Sequence, residues 1–263
     1  KIIISNRNLR FKVQKNFETI LEDRSIINVS RFSKYIILTL DNYNYCLIHL
    51  GMSGTLHLID YKKKEKLTNM SFYHSKIIPK KHNHIKIKFL KFMIVYNDPR
   101  RFGFFKILQN KNELKNFFKK LGPEAISSNF NLKYIKCKLA NKKKNIKNFL
   151  LDQNFVSGIG NIYANEILFY CKINPLKIAR NITYNEIGKL SKYSKLVLNL
   201  AIKFGGSSIR DFKNTKGVSG LFQNEFKVYD RENKNCVRKN CKGKISKIFI
   251  SNRSTFFCNL CQK

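Results

Sequence analysis

Along the first part of the chain, apolar residues come in short runs rich in Ile, Leu, Val and Tyr, broken by turn residues. The pattern predicts strands over Ile26–Phe32, Lys34–Leu40, Asn44–Leu50 and Gly54–Asp60. From His84 to Leu90 the alternation is strict: Ile85, Ile87 and Phe89 share one face, Lys86 and Lys88 the other. Phe92–Asn97 and Gly103–Leu108 extend the set. Strands at this spacing predict an antiparallel sandwich or barrel. The lysine-rich stretch from Tyr61 to Lys81 reads as a surface loop. Lys1-Ile2-Ile3-Ile4 reads as mid-strand, with the expectation that a leading segment is missing.

The period then changes. Leu114, Phe117, Phe118 and Leu121 fall at helical spacing, and Gly122-Pro123 stops that helix. From about Asn131 onward the pattern is helical. Thr183 and Glu186 have the spacing of a capping box. Ile187, Leu190, Val197, Leu200, Ala201 and Phe204 mark one long core face, ended by Gly205-Gly206. The expected architecture is α+β and multidomain: an antiparallel β-sandwich over 1–122, a helical domain over 123–225 and a small hairpin over 226–263. The hinge is expected near Gly122-Pro123.

Charge narrows the choice of partner. Lys+Arg number 52 against 16 Asp+Glu, a formal charge of +36 over 263 residues. Such an excess resists compaction and seeks a polyanion, and nucleic acid is the natural candidate. Abundant Lys, Ile, Asn, Phe and Tyr are also what an AT-rich gene encodes, so part of the excess reflects base composition. No apolar run approaches membrane-spanning length and no signal peptide is visible. The expected location is the cytosol, nucleoid-associated in a bacterium, and the expected state a monomer.

Seven cysteines change the picture further. Cys236, Cys241, Cys258 and Cys261 form a Cys-x4-Cys…Cys-x2-Cys array with sixteen residues between the pairs. That spacing can place four thiolates tetrahedrally around one structural Zn²⁺. The array encloses Arg253-Ser254-Thr255-Phe256-Phe257, so the clamp would hold a small basic hairpin and aim one arginine. Cys46, Cys137 and Cys171 remain as buried or idle thiols. The odd count favours a reducing compartment over a disulfide framework.

Gly158-Ile159-Gly160-Asn161 opens a helix. Glycines there let backbone N–H groups approach a phosphate at the helix N-terminus, and the Asn161 amide adds a donor. Joined to a preceding helix containing Ile146, Phe149 and Leu150, the turn makes a helix–two-turn–helix element.

With these pieces, the chain resembles the bacterial formamidopyrimidine-DNA glycosylases. The matching stretches are RFSKYIIL (31–38), HLGMSG (49–54), KHNH (81–84), DPRRFG (98–103), LGPE (121–124), SGIGNIYANE (157–166), the Gly205-Gly206…Asp211-Phe212 segment and the hairpin ending CNLCQ. They occur in order over nearly the whole length. HLGMSG and DPRRFG favour this family over its relative, endonuclease VIII.

The resemblance implies a bifunctional glycosylase and abasic-site lyase acting on double-stranded DNA that holds oxidised purines (8-oxoguanine, formamidopyrimidines) or abasic sites. Such an enzyme turns its target nucleotide out of the stack, forms a Schiff base and cleaves the strand by β,δ-elimination. Met52, Arg100 and Phe102 match the side chains that fill the vacated space. Met and Phe suit a wedge between bases, and Arg100 can bond the orphaned partner base. Lys34 matches an active-site lysine that assists strand cleavage. His82, Arg100 and Asn161 match DNA contacts, and Lys142 is the chosen counterpart within Lys142-Lys143-Lys144. Arg253 matches a phosphate-gripping residue with a late proton-transfer role, and clamping suits its fork of donors best. His82-Asn83-His84 also reads as a metal pair, but no carboxylate or cysteine stands nearby in sequence. The Gly205–Gly220 segment matches the loop that closes over the extruded base.

One departure is large. The family's nucleophile is an N-terminal proline followed by glutamate, and this sequence begins with Lys1-Ile2. The resemblance therefore leaves two readings: a glycosylase that needs a Pro-Glu head, and a catalytically inactive protein that binds damaged DNA. A general zinc-containing nucleic-acid-binding module explains neither Lys34 nor the Met52/Arg100/Phe102 set.

Overall fold

The computed structural model describes residues 1–62, 66–68, 79–207 and 220–263. Chain contacts divide it into two compact units, Lys1–Lys119 with Gly205–Leu221, and Lys120–Phe204 with Phe222–Lys263. The fold is α+β with antiparallel sheets, as the strand and helix patterns lead one to expect.

Among the described residues, the first unit holds nine strands: β1 (Ile2–Ile4), β2 (Ile26–Phe32), β3 (Tyr35–Leu40), β4 (Tyr45–His49), β5 (Thr55–Asp60), β6 (Lys66–Thr68), β7 (Asn83–Lys88), β8 (Phe92–Asn97) and β9 (Phe104–Leu108). Two short helices accompany them, α1 (Phe17–Leu21) and α2 (Lys111–Phe118). One sheet runs β1-β7-β8-β5-β6 and the other β2-β3-β4-β9. Their facing sides share one core: Ile2, Ile85 and Tyr96 from the first, Leu38, Cys46, Ile48, Phe105 and Ile107 from the second, with Phe17 of α1. This makes the unit a sandwich.

Strands β3, β4 and β9 are apolar on both faces. Ile37, Leu47 and Leu108 point the other way and pack under Leu114, Phe117 and Phe118 of α2. Double burial explains why their sequences read as continuous apolar runs instead of alternating ones. Edge strand β2 differs, with Ile27 and Val29 exposed and a bulge between Ile26 and Asn28. The expected loop from Tyr61 to Lys81 is in part structured. Lys66–Thr68 pairs with β5, and Lys80–His82 forms a 3-10 turn, because β5 extends far enough to template a partner. Residues 63–65 and 69–78 of that stretch, and residues 208–219 of the expected base-covering loop, lie outside the described residues.

The second unit packs four helices, α3 (Leu132–Leu139), α4 (Ile146–Leu151), α5 (Asn161–Cys171) and α6 (Tyr184–Lys203), with the hairpin β10 (Ile245–Ile250) and β11 (Arg253–Cys258). Helix α6 starts at a complete capping box between Thr183 and Glu186. Ile187, Leu190, Val197 and Ala201 form its buried stripe. It ends before Gly205 and Gly206, which hold φ of +72° and +89°. The hairpin lies against α5 through Phe169, Val228, Ile245 and Phe256. Among the described residues, no helix is long and apolar enough to cross a membrane.

Candidate nucleic-acid interface

Topology places the first group of side chains. Residues 50–54 carry the chain from β4 to β5, hence from one sheet to the other. Residues 98–103 make the same crossing from β8 to β9. Because β5 pairs with β8 (Thr55 opposite Asn97) and β4 with β9 (His49 opposite Phe104), the two crossings must run side by side. Gly51 lies so close to the Phe102 backbone that an added Cβ would stand 2.6 Å from its carbonyl carbon. Met52 and Phe102 project from these loops, 61% and 44% exposed, and the Arg100 guanidinium rests 4.4 Å from the Phe102 ring centre. The structure thus brings Met52, Arg100 and Phe102 together on one rim.

Beneath that rim lies Asp98, with no exposed surface. Its Oδ1 accepts hydrogen bonds from Ser53 Oγ (2.5 Å) and Arg100 N (3.2 Å), its Oδ2 from Tyr96 Oη (2.7 Å) and Gly103 N (2.9 Å). The Asp98 amide donates to the His82 carbonyl, which brings His82 to the same place. His84 is buried, with Nε2 2.7 Å from the Asp98 carbonyl oxygen. Burial and the neighbouring Lys81 and His84 lower the pKa of His82.

Lys34 is exposed in the two-residue turn joining β2 to β3, after Ser33 at φ +54°. Across the strand pair, His49 is held neutral: burial first, then Arg10 and Lys34, lower its pKa to about 4. Its Nδ1 accepts the Gly51 N–H at 3.0 Å, fixing the start of the Met52 turn.

In the second unit, α4 and α5 flank the connection 152–160. Gln153 closes it: Oε1 accepts the Gly158 N–H, and Nε2 donates to the Leu151 and Ile159 carbonyls. Gly158 holds φ +94°, which favours glycine. Asn161 opens α5, and its Nδ2 donates to the Ser254 carbonyl at 3.0 Å. That same carbonyl accepts from Lys147 Nζ at 3.0 Å, and Lys147 also donates to Thr255 Oγ1. Asn165 completes the seam by accepting the Phe256 N–H at 2.8 Å. The hairpin turn is Ser251-Asn252, both at positive φ, closed by Ile250 opposite Arg253. This is the two-residue turn whose twist suits a hairpin. Arg253 therefore leaves the seam exposed, one residue from the carbonyl that Asn161 and Lys147 share.

Lys142 is exposed within the α3–α4 connection, and its carbonyl accepts the Arg180 N–H. Among the described residues, no hydrogen bond links it to the Asn161–Arg253 seam.

The four cysteines converge. Their sulfurs lie within 4.8 Å of one another, with Cys236 to Cys261 at 3.9 Å and Cys241 to Cys258 at 3.7 Å. Four thiolates at ~2.3 Å from one tetrahedral ion stand about 3.8 Å apart, so the cage fits a metal ion. Cys46 and Cys171 are buried, whereas Cys137 is exposed on α3.

Sequence reasoning missed Asp98, Tyr96, His49 and Lys147. Lys147 neighbours the apolar positions Ile146, Phe149 and Leu150, and a lysine beside a helix stripe reads as solvated. The hairpin, which is distant in sequence, receives its buried ammonium.

Comparison with known proteins accords with this arrangement. The formamidopyrimidine-DNA glycosylase N-terminal domain matches residues 1–105, and the formamidopyrimidine-DNA glycosylase H2TH domain matches residues 121–213. Together they define a DNA glycosylase of base-excision repair with a helix–two-turn–helix. A formamidopyrimidine-DNA glycosylase of Wolbachia (strain wRi, from Drosophila simulans) is 39% identical over 99% of this chain and 90% of that protein. One from Legionella pneumophila (strain Paris) is 37% identical over 98% and 89%. The Lactococcus lactis Fpg in complex with DNA containing an abasic site superposes with a TM-score of 0.83 at 31% identity, covering 100% of this chain and 91% of that one. The chain belongs to the formamidopyrimidine-DNA glycosylase family.

Proposed function

We propose that this chain extrudes and excises oxidised purines, 8-oxoguanine and formamidopyrimidines, from double-stranded DNA and then cleaves the strand as an abasic-site lyase. The observation that carries the reading is the rim formed by Met52, Arg100 and Phe102. Two large apolar side chains left in water beside a guanidinium suit a wedge that enters a base stack, with the cation bonding the unpaired partner base. Arg253 and Asn161 hold phosphates beside the turned-out nucleotide. His82 and Lys142 add backbone contacts, and each phosphate neutralised releases counterions. Lys34 assists strand cleavage, as a proton donor or by holding the phosphate next to the lesion. Cys236, Cys241, Cys258 and Cys261 hold one structural Zn²⁺, which stiffens the hairpin that carries Arg253.

The chemistry uses a secondary amine that attacks the sugar C1′. The C1′–N bond breaks, the base leaves with a proton, and the resulting iminium drives loss of the 3′ and then the 5′ phosphate. In the family that amine is an N-terminal proline followed by glutamate. A polypeptide of these 263 residues, with Lys1 at its amino end, is expected to bind damaged DNA without excising the base. Borohydride trapping on an 8-oxoguanine duplex tests both halves. No adduct is expected from the 263 residues alone, and a covalent adduct is expected once a Pro-Glu-headed segment precedes them. An adduct from the first would refute the need for the head. Binding without an adduct from the second would favour the alternative, a damaged-DNA-binding protein without catalysis.

A further inference from the structure

The rim can work as a wedge only if its two loops advance together, and the structure contains a device that enforces this. Asp98 is fully buried and accepts four hydrogen bonds, one from Ser53 in the Met52 loop, two from Arg100 and Gly103 in the second loop, and one from Tyr96 at the end of β8. Both loops therefore hang on one carboxylate. Tyr96 is the spacer between them. A Cβ on Gly103 would fall 1.9 Å from its hydroxyl oxygen, and one on Gly54 would fall 2.8 Å from the same atom. Each loop thus supplies a glycine where the hydroxyl passes through to Asp98. We propose that Asp98, through Ser53 and Tyr96, is the positioning residue that locks the Met52 loop to the Arg100–Phe102 loop, so that the three side chains enter the duplex as one rigid body.

This inference rests on the wedge role given above to Met52, Arg100 and Phe102. It goes further in assigning their alignment to a buried anion that touches no DNA. A carboxylate suits the task because each of its oxygens accepts two hydrogen bonds, Oδ1 one from each loop and Oδ2 from Tyr96 and Gly103, whereas an amide in its place would turn a donor toward the Tyr96 hydroxyl and the Gly103 N–H. Burial makes each missing bond costly, since the oxygen left over has no water to turn to.

The test uses the 263-residue chain and two duplexes of one sequence, undamaged and carrying a non-cleavable abasic analogue beside a 2-aminopurine. Wild-type protein is expected to prefer the abasic duplex and to raise 2-aminopurine emission as the neighbouring base unstacks. Ser53→Ala and Tyr96→Phe, assayed where circular dichroism shows them folded, are expected to bind the abasic duplex about tenfold more weakly, the effect of one hydrogen bond to a charged group. They should also lose most of the emission rise, while binding undamaged DNA as wild type does. In a Met52→Ala background the Ser53→Ala loss should vanish, because residues acting as one unit are non-additive. Folded variants with wild-type emission and affinity would overturn the proposal. So would equal losses on both duplexes, or loss of fold in both variants, since each makes Asp98 a fold determinant only. A wild-type chain that does not distinguish the two duplexes would instead refute the DNA-lesion reading itself.

Discussion

The two units solve the same problem with opposite charges. In the first, a buried carboxylate, Asp98, gathers four donors and so aligns two loops that end in Met52, Arg100 and Phe102. In the second, a buried ammonium, Lys147, donates to Ser254 O and Thr255 Oγ1 and so fixes the strand that begins with Arg253. Anion under donors and cation under acceptors are equivalent ways to immobilise backbone, and both leave the neighbouring Met52, Arg100, Phe102 and Arg253 exposed. The difference lies in what surrounds them. The loops of the first unit are anchored in two extended sheets. The hairpin of the second has only two strands, and an isolated pair of strands is marginal in water, so it needs a further restraint in the cysteine cage.

The comparison breaks most readily at that restraint. Cys258→Ser, or removal of the proposed Zn²⁺ by a chelator, is expected to unfold the hairpin, since structural zinc contributes ~10 kcal/mol or more in small sites. Lesion binding should then be abolished while the sheet content seen by circular dichroism is largely retained. Loss of metal by mass spectrometry without loss of binding would show that the Lys147 seam suffices.

Lys147→Met comes next. It leaves the Ser254 carbonyl to Asn161 alone, and a loss of ~2 kcal/mol is expected from denaturant midpoints. The pH dependence sharpens the test. Burial, then Arg253 nearby, lowers the Lys147 pKa to about 8 from 10.5. The folded state thus releases this proton more readily than the unfolded chain. Between about pH 8 and pH 10.5 the unfolded chain holds more protons, so stability from this group rises with pH across that window and is flat below it. Lys147→Met should erase that rise. A wild-type curve without it would mean that the ammonium is not confined.

The smallest effect belongs to the scaffold. Thr183→Ala removes the α6 cap and should cost ~1 kcal/mol, read as a lower melting temperature. DNA affinity of the folded protein should not change, which separates general stability from the two alignment devices.

Much of this was legible in the amino-acid order. The bounds of β2 to β5, β8 and β9 follow within a residue from turn residues, and the α6 cap and stripe follow from Thr183, Glu186 and the spacing of Ile187, Leu190 and Val197. The cysteine cage was legible because ligand spacing is a local property. The restraints on the site were not. Asp98 sits in DPRRFG, yet its partners Ser53 and Tyr96 are reached only through sheet register. Lys147 is buried by residues more than a hundred positions away. Strand β6 was hidden because three residues of a lysine-rich stretch carry no alternation of their own and pair only because β5 offers an edge.

Strand β2 has a bearing on solubility. Among the described residues it is an edge strand of its sheet, and it shows Ile27 and Val29 to water, features that invite another chain to add a strand there. The irregularity between Ile26 and Asn28 interrupts the flat run of amides that such docking needs, and Arg24 and Arg31 bracket the segment with positive charge. The strand that shows apolar side chains at a sheet edge thus carries its own guard against aggregation.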